Sequence, residues 1–173
     1  MESQIGEGHE IFIKNDRPAK GPPKGPYCPG PGDKSVSFTW NTRVYFDQAD
    51  LASIQFFAQV YTQAHRCLEH FIENQGIEWS QWFQHPVHGV PLVHTEADYQ
   101  APLIPGKELQ IKLSVLRLGE SSVKFQFDFS QSNQVAAQVR TTHVFIDRNS
   151  HKKTKIPEDL RQMLTPFLAP QPD

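Results

Sequence analysis

The sequence predicts a single α+β domain in which a five-stranded antiparallel sheet wraps around one long central helix. Three observations predict it. One sustained helical pattern, from Leu51 to Glu73, follows one strand-like segment and precedes four more. Those four are separated by turn-forming pairs rather than by helices, which suits antiparallel pairing. A doubly wound parallel sheet needs a helix between most strands, so this order excludes it.

Residues 1–34 read as a flexible tail, because the run RPAKGPPKGPYCPGPGDK is dense in proline and glycine and favours extended backbone over a packed element. The domain takes residues 35–173. In its first strand Val36, Phe38, Trp40, Val44 and Phe46 share one face, while Ser37, Thr39, Asn41 and Arg43 share the other. The helix follows, with Ile54, Phe57, Ala58, Tyr61, Ala64, Leu68, Phe71 and Ile72 at spacings of three and four. Phe56, Val60 and Cys67 add a second apolar stripe, so it is expected to be deeply buried, and Gly76 is its stop. A short segment around Trp79, Trp82 and Phe83 leads to strands over 89–101, 107–118, 122–130 and 134–147. The alternation is clearest in VKFQFDF, where Val123, Phe125, Phe127 and Phe129 interleave with Lys124, Gln126 and Asp128. Pro105-Gly106, Gly119-Glu120 and Ser132-Asn133 read as hairpin-like links between these strands. Past the basic link HKKTK, Ile156-Pro157-Glu158 opens a short closing helix that runs to Leu168, with Pro157 in its first turn.

Composition narrows the function. With 173 residues, 38% hydrophobic and 21% charged, the chain can bury one real core. Seventeen basic residues against 19 acidic ones give a net charge of −2, which argues against a nucleic-acid partner and against an electrostatic membrane anchor. Cys28 and Cys67 stand in unrelated contexts and make neither a disulfide framework nor a metal site, which suits a reducing cytoplasm. Met1 to Asn15 lacks the apolar run of a secretory signal, and no segment has the roughly 20 apolar residues of a membrane span.

The segment VYFDQADLASIQFFAQVY places Asp47 and Asp50 just before the expected helix. Free N–H groups gather at a helix N-terminus and stabilise negative charge, including an oxyanion forming on an attacked carbonyl. A carboxylate there can serve as a general base on water or as a nucleophile toward an activated acyl carbon, although an Asp in this position is more commonly a cap.

The same segment resembles the signature of the 4-hydroxybenzoyl-CoA thioesterase family of hot-dog proteins, in which a strand, an Asp-x-Asp variant and a small residue lead into an aromatic-rich helix start. The likeness continues through GVPLVHTEADYQAPLIPGKELQIKLSV and LGESSVKFQF to the Ile156-Pro157 helix, over residues 36–168. Within it, VHTEADY is most similar to thioesterases acting on 1,4-dihydroxy-2-naphthoyl-CoA. The resemblance implies a hot-dog fold and hydrolysis of an aromatic acyl-CoA, with no cofactor beyond the CoA of the substrate. It also implies a homodimer or homotetramer with its sites at the subunit boundary. Residue by residue, it puts the catalytic carboxylate on Asp50 and the N–H that receives the thioester oxygen on Phe57. Ser53 stands where relatives usually carry Gly, and Gln59 where Asn is common. His65 occupies the helix site at which a 4-hydroxybenzoyl-specific member has an acid, which points to a different acyl group.

His94 and Glu96, on one face of a strand, and His65 are further substrate-binding candidates, each with the plainer reading of a hydrogen-bonded structural residue. His85 and His88 have ligand-like spacing, but Pro86 breaks the helix that would aim them together, so no metal is expected. Arg148, Lys152, Lys153 and Lys155 read as a solvated face. There is no Gly-rich phosphate loop and no serine nucleophile elbow. Two alternatives stay open: an acyl carrier protein thioesterase, and a non-catalytic module that binds acyl-CoA.

Overall fold

The computed structural model describes residues 36–170, so the expected tail at 1–34, with Cys28, lies outside the described residues. The described chain runs through β1 (Phe38–Arg43), α1 (Gln59–Asn74), α2 (Trp79–Phe83), β2 (His88–Gly89), β3 (Leu92–Tyr99), β4 (Glu108–Leu118), β5 (Ser122–Gln131), β6 (Gln134–Val144), β7 (Ile146–Asp147) and α3 (Glu158–Leu164). Five strands pair in the order β1-β4-β5-β6-β3, all antiparallel. The short β2 and β7 pair separately.

The period-two patterns set which sheet face meets α1. In β5, Val123, Phe125, Phe127 and Phe129 are fully buried, and each such Phe contributes about 1.5–3 kcal/mol through apolar area removed from water. From α1 the buried apolar set is Val60, Ala64, Cys67, Leu68, Phe71 and Ile72. The Phe71 ring meets Phe38 edge-on at 5.6 Å and Phe167 at 4.8 Å, which fastens the helix to edge strand β1 and to the turn after α3. Gly76, at φ 75°, follows the end of α1 as expected of a left-handed stop. Among the described residues no helix is long and apolar enough to cross a membrane.

Three expectations are corrected. The helix starts at Gln59 and not at Leu51. Backbone donors that a helix would send four residues back go elsewhere: Asp50 N–H to Ile54 O at 2.9 Å, Gln55 N–H to Leu103 O at 2.8 Å and Phe56 N–H to Gln48 O at 2.8 Å. Ser53, at φ 60°, is left-handed and incompatible with a right-handed helix. The apolar spacing over 51–58 therefore belongs to a folded loop. Second, Phe46 leaves the strand face, opening a 3-10 turn over Phe46–Gln48 with 91% of its surface exposed. Third, Pro105-Gly106 closes no hairpin. Strand β3 pairs with β6 at the far edge, and the chain crosses to β4 beside β1, where Gly106 N–H donates to Val44 O at 2.8 Å. Ser132-Asn133 is a true two-residue hairpin turn, with φ of 51° and 63°.

Candidate active site

The loop between the 3-10 turn and α1, together with the end of β3 and the segment after it, encloses an apolar cleft of about 700 Å³. Asp50 and Phe57 both line it, along with Leu51, Ile54, Val60 and Leu103. Asp50 is thus nine positions before the helix in sequence, yet the loop folds it back to the mouth of the helix. One carboxylate oxygen, Oδ1, accepts the Ala52 N–H at 2.8 Å, while among the described residues Oδ2 has no partner. The Phe57 N–H likewise has no acceptor among the described residues, and Gln59 N–H, the first of the helix, returns to Phe56 O. An unpaired carboxylate oxygen and an unpaired backbone donor thus share a largely apolar cleft, the arrangement that stabilises charge developing on a carbonyl.

Tyr99 completes the cleft. It shares the core-side face of β3 with Thr95 and Ala97, which pair opposite Thr141 and Val139. Its hydroxyl donates to Phe57 O at 2.7 Å. Partial burial, with Tyr61 nearby, holds the phenol above its ordinary pKa, so it stays a donor.

His94 and Glu96 point the other way. Glu96 pairs opposite Arg140, and on that outer face it meets Lys124 at 3.4 Å, Arg140 at 3.7 Å and His94 at 3.8 Å. Lys124 first and Arg140 after it keep the Glu96 carboxyl below its ordinary pKa. Neither residue lines the cleft. His65 also stands outside the cleft, half exposed on α1, 3.7 Å from Glu69 and 5.4 Å from the Phe83 ring. Among the described residues no three metal-ligating side chains converge. His85 and His88 stack at 3.8 Å, and His85 Nδ1 is already occupied by the N–H groups of Val87 and His88.

The sequence reading passed over Tyr99 and Gln55, both of which line the cleft. Parity could have found Tyr99, since in VHTEADY the residues in phase with Ala97 face the core and those in phase with Glu96 do not. Gln55 carries no comparable signal, because its loop follows neither period.

Residues 39–164 match the family model of the thioesterase-like superfamily. The chain belongs to that superfamily. Among similar thioesterases of known name is the 1,4-dihydroxy-2-naphthoyl-CoA hydrolase of Nostoc punctiforme, 30% identical over 129 residues that span 75% of this chain and 87% of that protein. The hydrolase of the same name from Synechococcus elongatus is 30% identical over 122 residues, 70% of this chain and 90% of its own. Among solved structures, a 1,4-dihydroxy-2-naphthoyl-CoA thioesterase from Synechocystis superposes with a TM-score of 0.70 at 23% identity, covering 75% of this chain and 96% of that one. A gentisyl-coenzyme A thioesterase superposes with a TM-score of 0.65 at 23% identity, over 74% and 99% of the two chains. The α+β hot-dog architecture of this thioesterase-family chain is the one these structures share.

Proposed function

We propose that this chain hydrolyses the thioester bond of an aromatic acyl-CoA, with Asp50 as the reacting carboxylate and the Phe57 N–H as the donor to the carbonyl oxygen. The observation that carries this reading is that, among the described residues, Asp50 is the one charged side chain lining the apolar cleft and shares it with a Phe57 N–H that has no acceptor. With the thioester oxygen on that N–H, Oδ2 of Asp50 either attacks the carbonyl carbon, giving a mixed anhydride and releasing the CoA thiolate, or takes a proton from an attacking water. On the first route water then hydrolyses the anhydride, freeing the Asp50 carboxylate; on either route one water is consumed, the thiolate leaves as CoA thiol after protonation, and no cofactor is used. The rings of Phe56, Phe57 and Tyr99 along the cleft support an aromatic acyl group, as do the names of the relatives.

The test is release of CoA thiol across a panel of aromatic and aliphatic acyl-CoAs by wild type and Asp50→Asn. A loss of about 100-fold or more is expected, the scale of losing a positioned acid–base group. One observation favours a binding-only module, namely that Asp50 Oδ1 already serves the loop by accepting the Ala52 N–H. Asn keeps that acceptor, so equal turnover of the Asn variant would mean that Asp50 is a loop residue only. Heavy oxygen from water found in Asp50 after a single turnover establishes attack by the carboxylate, because direct attack by water labels only the product acid.

We also propose a homodimer formed along β3. That strand ends the sheet, and Leu92, Val93 and Tyr99 are 50%, 57% and 50% exposed on it. An edge with open backbone groups and exposed apolar side chains favours pairing with a second copy. The buried free thiol of Cys67 and a CoA substrate both suit a cytoplasmic setting.

A further inference from the structure

Three glutamines, Gln48, Gln55 and Gln63, are 4%, 6% and 1% exposed, in a chain that otherwise buries mostly apolar side chains. They form one connected chain. Gln55 Nε2 donates to Gln63 Oε1 at 2.8 Å, and Gln63 Nε2 donates to Gln48 Oε1 at 3.2 Å and to Arg43 O at 3.4 Å. Its direction is fixed by two backbone groups that cannot flip. Tyr45 N–H must find an acceptor and takes Gln48 Oε1 at 2.9 Å, and Arg43 O can only accept. Gln63 must therefore present its NH₂ to Gln48 and its oxygen to Gln55, so Gln55 must in turn present its NH₂ to Gln63.

The consequence falls at the end of the chain, where Gln55 Oε1 is left buried with no partner. A buried acceptor without a donor is a local cost, and three apolar side chains in these places would avoid it. What the arrangement obtains is attachment. Gln48 precedes Asp50 by two residues and Gln55 follows it by five, and both are tied to the one side chain Gln63 on the rigid helix α1.

We propose that Gln63 is a positioning residue for Asp50, clamping both ends of the loop that carries the carboxylate so that Oδ2 keeps its place relative to the Phe57 N–H. This rests on the thioesterase reading above. A misplacement of about 1 Å can cost on the order of 100-fold in rate while substrate binding elsewhere in the cleft persists, so the clamp acts on kcat rather than KM.

The experiment uses the full chain and the best acyl-CoA of the panel. Gln63→Met, which is close in volume and cuts both limbs, is expected to lower kcat about 10-fold or more with KM within about two-fold. Amide exchange at Asp50 and Phe56 should quicken while that at Phe127 in β5 does not. In an Asp50→Asn background the same substitution should cost no further rate, because there is no carboxylate left to position. Gln55→Met cuts one limb and also removes the unpaired oxygen; it should lower kcat less than Gln63→Met without lowering stability, and it serves if Gln63→Met does not fold. The proposal is overturned if both variants keep wild-type kcat and loop exchange. It is equally overturned if the losses add to that of Asp50→Asn or extend to the Phe127 amide, as general destabilisation would. Absence of turnover in wild type would instead sink the thioesterase reading itself.

Discussion

The hydroxyl of Tyr99 and the carbonyl of Phe57 are joined at 2.7 Å, tying edge strand β3 to the residue that leads into α1. The peptide unit just after the proposed oxyanion donor is thereby fixed to the sheet. Because Tyr99 is half exposed, the bond adds little to global stability, about 1 kcal/mol at most. Tyr99→Phe should accordingly leave the urea midpoint close to wild type while lowering kcat by roughly 3- to 10-fold, on the scale of one hydrogen bond. A change in stability larger than the change in rate would mean that the bond serves the fold and not the site.

Ser53 holds the loop turn in the left-handed region at φ 60°, with its N–H on Asp50 O at 3.0 Å. A side chain there costs about 1–2 kcal/mol, whereas Gly costs about 0.5–1 kcal/mol through unfolded-chain entropy. Ser53→Gly should therefore stabilise the chain by up to about 1 kcal/mol, and Ser53→Val should destabilise it by about 1–2 kcal/mol, both read from urea unfolding. If Gly is destabilising, the Ser53 side chain itself supports the loop.

These two residues mark where the sequence was legible and where it was not. The alternation in β5 is visible in the bare sequence because every second residue meets the same core, and Phe125, Phe127 and Phe129 are buried as that pattern requires. Asp50 and Phe57 were found through a family motif, and the structure does bring them into one cleft. The helix start was misplaced because apolar residues within 51–58 stand at helical spacing for another reason: they line a cleft, in a loop whose hydrogen bonds run to Gln48 and Leu103. Strand order was not legible at all between β3 and β4. Turn residues such as Pro105-Gly106 mark a reversal without naming the partner strand, and long-range pairing decides that.

The β3 edge carries the proposed dimer, so a charge placed on it should act on assembly before it acts on folding. Val93 is 57% exposed and its loss removes no core contact. Val93→Asp should shift the chain from dimer to monomer in light scattering, with thermal unfolding then dependent on protein concentration in wild type only. A variant that remains dimeric would place the interface elsewhere.

His143 makes the stability of the domain depend on pH. Its ring is buried at 6% exposure under Phe125, 5.8 Å away, and Nδ1 donates to Val90 O at 3.4 Å. Burial pushes its pKa down from 6.5 to about 4, the Val90 bond opposes that shift, and nearby His65 adds to it. Between these values the unfolded chain binds a proton that the folded chain refuses, so stability is full above the unfolded value and falls as pH drops toward about 4. By about pH 5 the loss amounts to roughly 2 kcal/mol relative to about pH 7.5. His88, also shifted down, chiefly by burial and then by His85, deepens the same slope. His143→Leu should remove most of the His143 part, so that urea midpoints measured at the two pH values draw together compared with wild type. If the variant keeps the full slope, carboxylate titration and not the buried imidazole sets the acid limit of this fold.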